Sequence, residues 1–144
     1  MLRALIDTSV LFTAAYKRDN SHDTALPVLH GIDNGTLSEA AVLDYTLAET
    51  FNGLTTRAGH DAAVGLPDRI EETACSHMNS LTIDAFATGK SLFRQHKPLS
   101  VVDACIIAYI QTEGLGCLYA FDDDFDAVED VYRLDTATNQ YDPS

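Results

Sequence analysis

Three segments of this chain each put an aspartate where it could do chemistry. Asp7 closes the run Leu2–Ile6. Asp122 closes Cys117–Phe121 and opens Asp122-Asp123-Asp124, with Asp126 close behind. Asp103 interrupts Val101-Val102-Asp103-Ala104-Cys105-Ile106-Ile107-Ala108. A carboxylate on an apolar helix face is costly unless it is paired, protonated or bound to a cation. Acids gathered in a small space repel one another and their pKa values rise, unless a divalent cation joins them. A hard cation such as Mg²⁺ takes oxygen ligands. It acidifies a bound water and offsets charge on phosphoryl oxygens.

Each acid also has a purely structural reading. Asp7 can cap the helix that follows it. Asp122 can be a cap or turn residue, and its acidic neighbours a solvated turn. Ser100-x-x-Asp103 has the form of a capping box. A cap can still hold a metal, so both readings stay open. Glu49 lies opposite the stripe Leu43, Leu47, Phe51, in line with Tyr45 and Asn52, and reads by patterning as a solvated surface acid.

The elements that must position these acids alternate along the chain. Strands are expected at Leu2–Ile6, Thr36–Ala40, Ser80–Ile83, Cys117–Phe121 and Val131–Leu134. Helices are expected at Thr8–Lys17, Ser21–Ile32 (with Pro27 as an objection), Ala41–Arg57, Asp84–His96 and Ser100–Thr112. Asp61–Met78 reads as mostly helical, with a break at Gly65-Leu66-Pro67. A short helix follows Asp122-Asp123-Asp124, and Asn34-Gly35, Gly59 and Gly114 read as helix stops. Alternation of this kind implies an α/β sandwich around a parallel sheet. Ligands then gather at the carboxyl ends of strands, at a topological switch point. If the strands before Asp7 and Asp122 are neighbours, these two acids face each other there.

At 144 residues and 46% hydrophobic, the chain suits one domain, taken as residues 1–135 with a polar, frayed tail over 136–144. Neither a basic leader nor an apolar run of membrane-spanning length is evident, so a soluble, cytoplasmic protein is expected. Cys75, Cys105 and Cys117 form no C-x-x-C pair and read as reduced core residues. The formal net charge is −13, and Lys17, Lys90 and Lys97 are the only lysines. The acids are scattered rather than blocked. That favours a surface adapted to concentrated intracellular salt, as in halophiles, over a dedicated basic partner.

In this order the pieces resemble the PIN domain. They are Leu5-Ile6-Asp7-Thr8-Ser9, a mid-chain helix with Glu49 followed by Leu54, Leu99-Ser100-Val101-Val102-Asp103-Ala104, and Phe121-Asp122-Asp123-Asp124-Phe125. In length and order the chain is similar to the VapC toxins of type II toxin–antitoxin pairs, and the acidic surface sets the expectation of a halophilic archaeon as its source. The resemblance implies a three-layer sandwich with a five-stranded parallel sheet flanked by helices, and a Mg²⁺- or Mn²⁺-dependent endoribonuclease leaving a 5′-phosphate and a 3′-hydroxyl. It implies Asp7, Glu49, Asp103 and Asp122 as the acidic quartet and Asp124 as an extra metal ligand, with no firm counterpart for Asp126. Glu49 would orient or deprotonate the attacking water, and Thr8 or Ser9 would support Asp7 through a hydroxyl. Ala120 departs from the pattern, since relatives often carry Ser or Thr there, and Asp61–Met78 matches nothing in it. It also implies an RNA substrate, a small antitoxin partner inserting into the acidic groove, and a homodimer.

Lys17 and Arg18, then Arg94, His96 and Lys97, are the basic residues placed to contact RNA. Lys90, Arg94 and Lys97 could instead merely solvate one helix face. Two rivals remain. A receiver-type phosphoacceptor domain normally needs paired acids after the first strand and a late lysine, and none follows Lys97. A catalytically silent PIN-like binding domain would not need the quartet.

Overall fold

The structure is a computed structural model and describes residues 3–66, 68–129 and 131–138. Strand β1 spans Ala4–Ile6, β2 Ala40–Leu43, β3 Met78–Asn79, β4 Cys117–Tyr119 and β5 Arg133–Leu134. They form one five-stranded, wholly parallel sheet in the order β3-β2-β1-β4-β5. The order reverses between β1 and β4, where Ile6 stands opposite Tyr119. This is the switch point at which open α/β sheets bind ligands. Receiver-type and other flavodoxin-like sheets run 2-1-3-4-5, so the strand order removes that rival.

Alternating strand residues feed two cores, which makes the three layers. Ala4, Ile6, Ala40, Val42, Cys117 and Tyr119 face one side of the sheet. There they meet α1 (Thr8–Ala15), α2 (His22–Asp33), α3 (Asp44–Ala58), α4 (His60–Val64) and α5 (Asp68–Ser76). Leu5, Ala41, Leu43, Leu118 and Ala120 face the other side. That face is covered by α6 (Ile83–Gln95) and α7 (Val101–Glu113), whose residues Ala104 to Ile110 are all buried. Strands covered on both faces have no polar alternation. This is why the central strands read as plain apolar runs; α7 does so because it is buried all round from Asp103 to Ile110.

Three expectations shift. The second strand is Ala40–Leu43 rather than Thr36–Ala40, because a short apolar run buried on both faces cannot be told from a helix start by periodicity. The third is Met78–Asn79 rather than Ser80–Ile83, because Thr82 already caps α6 by accepting from the Ala85 N–H at 3.1 Å. Cys75 is exposed, whereas Cys105 and Cys117 are buried, and none of the three is in a disulfide. The breaks at Asn34-Gly35, Gly59 and Gly114 hold, each of these glycines having positive φ. Of the segment expected to break at Gly65-Leu66-Pro67, Pro67 lies outside the described residues, as does Leu2 of the expected first strand. Of the expected tail, 139–144 lie outside as well, while the Tyr119 hydroxyl donates to the Thr138 carbonyl at 2.9 Å. No described helix is long and apolar enough to cross a membrane.

Candidate metal centre

The sheet carries its first acid directly to the switch point. The Asp7 N–H donates to the Tyr119 carbonyl at 2.9 Å, so the β1–β4 ladder runs up to this residue. Asp7 then caps α1. Its Oδ2 accepts from the Ser9 N–H at 3.1 Å and from the Ser9 hydroxyl at 2.7 Å. The same hydroxyl accepts from the Phe121 N–H at 3.0 Å, which ties the segment after β4 to the start of α1. One residue later Asp122 caps a 3₁₀ turn over Asp123–Ala127 by accepting from the Asp124 N–H at 2.9 Å. Ser9 therefore spaces Asp7 from Asp122. It supplies a supporting hydroxyl at the place where Ala120 offers none.

Asp103 arrives from the opposite layer as the third residue of α7. It completes the capping box with Ser100, accepting from the Ser100 N–H at 3.3 Å through Oδ2 while its own N–H donates to the Ser100 hydroxyl at 3.1 Å. The capping-box reading holds, and the box occupies one carboxylate oxygen while leaving the other available to a ligand. One oxygen each of Asp103, Asp122 and Asp124 lies within 4.8 Å of the others. Asp7, Thr8, Ser9, Glu49, Asp103 and Asp122 line one cleft of about 260 Å³. Glu49 is half-buried on α3, not a free surface acid. Asp126 turns away to a two-pronged contact with Arg133, both distances 3.0 Å.

The acids destabilise one another's charge. Burial pushes Asp7 up to about 7, against the opposing bonds from Ser9, and the charge of Asp103 adds to the rise. Burial likewise lifts Asp103 to about 6, opposed by Ser100 and reinforced by Asp122 and Glu49. The charge of Asp122 raises Asp124. A cation fits this arrangement on two further counts. Asp7 Oδ1 is fully buried and has no hydrogen-bond partner among the described residues, and neither has Thr8 Oγ1. The donor set is all oxygen, which suits Mg²⁺ or Mn²⁺ over softer metals.

The basic residues named from sequence do not line the cleft. Lys17 borders a separate apolar cavity with His22, Leu26, His30 and Ile70. Arg18, Arg94 and Lys97 are exposed elsewhere, and His96 ends α6. The cleft instead holds Arg57, with Phe12 and Gly53 beside it. Arg57 is absent from the residues named from sequence; the spacing Glu49–Gly53–Arg57, i, i+4, i+8 on one helix, is the signal that could have found it.

No curated protein sequence matches the chain. Solved structures do. VapC20 of Mycobacterium tuberculosis, a sarcin–ricin loop cleaving toxin, is 26% identical with a TM-score of 0.69, over 86% of this chain and 93% of that one. A toxin–antitoxin complex from Klebsiella pneumoniae aligns at 20% identity and a TM-score of 0.57, over 91% and 99%. VapBC2 from Rickettsia felis, bound to a DNA fragment from its promoter, aligns at 13% and 0.67, over 92% and 98%. The structure thus matches VapC toxins of type II toxin–antitoxin systems. The family model for the PIN domain matches residues 4–131, a span that takes in all the acids of the cleft, and the chain belongs to the PIN domain family.

Proposed function

We propose that this protein is a divalent-metal-dependent endoribonuclease and the toxin of a type II toxin–antitoxin pair. The observation that carries the reading is the buried, unpartnered Asp7 Oδ1 beside the convergent oxygens of Asp103, Asp122 and Asp124. Such an oxygen is costly unless something positive meets it. A silent binding domain has no use for it. Asp7, Asp103, Asp122 and Asp124 would hold Mg²⁺ or Mn²⁺, directly or through water. When bound, the ion would offset charge on the phosphoryl oxygens and acidify a coordinated water. Glu49, half-buried on the far wall, would orient the attacking water or accept its proton. Ser9 and the capping box hold the acids in register. VapC20 supports RNA as the substrate class. The toxin–antitoxin complex from Klebsiella pneumoniae supports an antitoxin partner. A homodimer, a cytoplasmic location and RNA contacts by Lys17, Arg18, Arg94 and Lys97 belong to the same proposal.

The test is cleavage of a mixed RNA pool with Mg²⁺, with EDTA, and by Asp7→Asn and Glu49→Gln. Mg²⁺-dependent internal cleavage is expected. Asp7→Asn should abolish it. Glu49→Gln should lower kcat by about 100- to 10,000-fold while still binding Mg²⁺ in calorimetry. Cleavage that persists in EDTA would sink the reading.

A further inference from the structure

The acid cleft extends beyond the acids. Helix α3 presents Glu49, Gly53 and Arg57 to it on successive turns, and α1 presents Thr8 and Phe12. Among the described residues Arg57 is the only Lys or Arg lining the cleft. Its guanidinium lies over the Phe12 ring, 5.8 Å from the centroid, in a cation–π contact. Gly53 makes room for that ring. A Cβ there would stand 3.2 Å from Phe12 Cδ2. Phe12 packs in turn on Tyr16, with ring centroids 5.5 Å apart. Among the described residues the guanidinium makes no hydrogen bond or ion pair, although this protein carries 22 acids to 9 basic residues. The ring gives the exposed guanidinium a preferred seat, and among the described residues its donors have no protein acceptor.

We propose that Arg57, seated on Phe12, grips the RNA backbone at a phosphate flanking the one that is cut. The proposal rests on the ribonuclease reading above and assigns the polarity of its groove. Eight residues along a helix is about 12 Å between Cα atoms, so Arg57 stands two turns from Glu49, at the end of the cleft away from it. It can meet a neighbouring phosphate of the same strand with the planar fork that suits phosphate oxygens. The acids repel a bare strand, and the cation they hold would neutralise only the reacting group. Arg57 supplies the attraction that the remainder of the cleft lacks. Phe12 is a positioning residue, since its ring holds the guanidinium in place before RNA arrives.

The experiment has two arms, each using a labelled single-stranded RNA cut by the parent protein. In Mg²⁺ kinetics, Arg57→Ala should raise KM by about tenfold or more, with a smaller change in kcat, as loss of one charged hydrogen-bonding group predicts. In anisotropy binding on the non-cleaving Asp7→Asn background, the same change should flatten the dependence of log Kd on log salt by about 0.7. Arg57→Lys should keep the salt slope and recover part of the affinity, and Phe12→Leu should lose about two- to fivefold. A structural role for Arg57 would leave the salt slope unmoved. Parent-like KM and salt slope in Arg57→Ala, with parent cleavage intact, would overturn the proposal alone. A parent protein that neither binds nor cuts RNA would overturn the nuclease reading, and this proposal with it.

Discussion

The two oxygens of Asp7 have different surroundings. Oδ2 takes both donors of Ser9, while Oδ1 is buried with none among the described residues. The Ser9 hydroxyl meanwhile receives the Phe121 N–H. Ser9→Ala would leave that N–H without its acceptor and free Asp7 to turn. A loss of about 1–3 kcal/mol in urea unfolding is expected, together with weaker Mg²⁺ binding by calorimetry. The charge on Asp7 has its own signature. Its folded pKa is raised to about 7 by burial, so between the usual carboxylate range and pH 7 the folded protein holds a proton that the unfolded chain has lost. The stability that this group contributes is therefore full at low pH and is lost as pH rises toward 7. Measured in EDTA from pH 5 to 8, the stability of the parent minus that of Asp7→Asn should fall with pH. A difference that stays flat or rises would contradict the burial argument.

At the scale of elements, two glycines set how closely helices approach the site, and they should respond differently. A Cβ on Gly89 of α6 would lie 2.8 Å from both Cα and Sγ of Cys105 in α7, two residues beyond Asp103. Backbone cannot give way there. Gly89→Ala should cost about 1–3 kcal/mol by overpacking, and by moving α7 it should weaken Mg²⁺ binding. Gly53→Ala meets only the half-buried Phe12 ring, and alanine favours a helix by up to about 1 kcal/mol, so its stability should be near that of the parent. Urea denaturation of the two variants checks the contrast. The same elements explain what could be read from the chain alone. Asp7, Asp103 and Asp122 betray themselves because each is an anomaly in an apolar run, and strand alternation gives the sheet. Glu49 came only from the family resemblance, because α3 turns a mixed Glu-Gly-Arg stripe to the cleft and no hydrophobic period marks it. Arg57 was missed for the same reason. Lys17, Arg18, Arg94 and Lys97 stood out by charge, which says nothing about the direction a residue faces. The second strand slid into the following helix because Ala40-Ala41-Val42-Leu43 is apolar on both faces.

Over the whole molecule, repulsion acts at two ranges that can be separated. The net charge of −13 is spread over the surface, and its self-repulsion is long-range. Monovalent salt reduces it as the Debye length falls from about 10 Å at 0.1 M to about 3 Å at 1 M. The repulsion among Asp7, Asp103, Asp122 and Asp124 acts over a few ångströms and partly out of water, where mobile ions screen little. Above the raised pKa values of these acids, an ion bound among their oxygens is what relieves it. The thermal midpoint should therefore rise with KCl from 0.1 to 2 M in the parent and in Asp122→Asn alike. Millimolar Mg²⁺ should add a further rise, beyond KCl of equal ionic strength, in the parent alone. A midpoint indifferent to KCl would remove the case for adaptation to concentrated salt. An Mg²⁺ increment that survives in Asp122→Asn would mean that the ion stabilises the general surface and not the switch point. Because the two responses are read on one protein in one titration series, each argument can fail without the other.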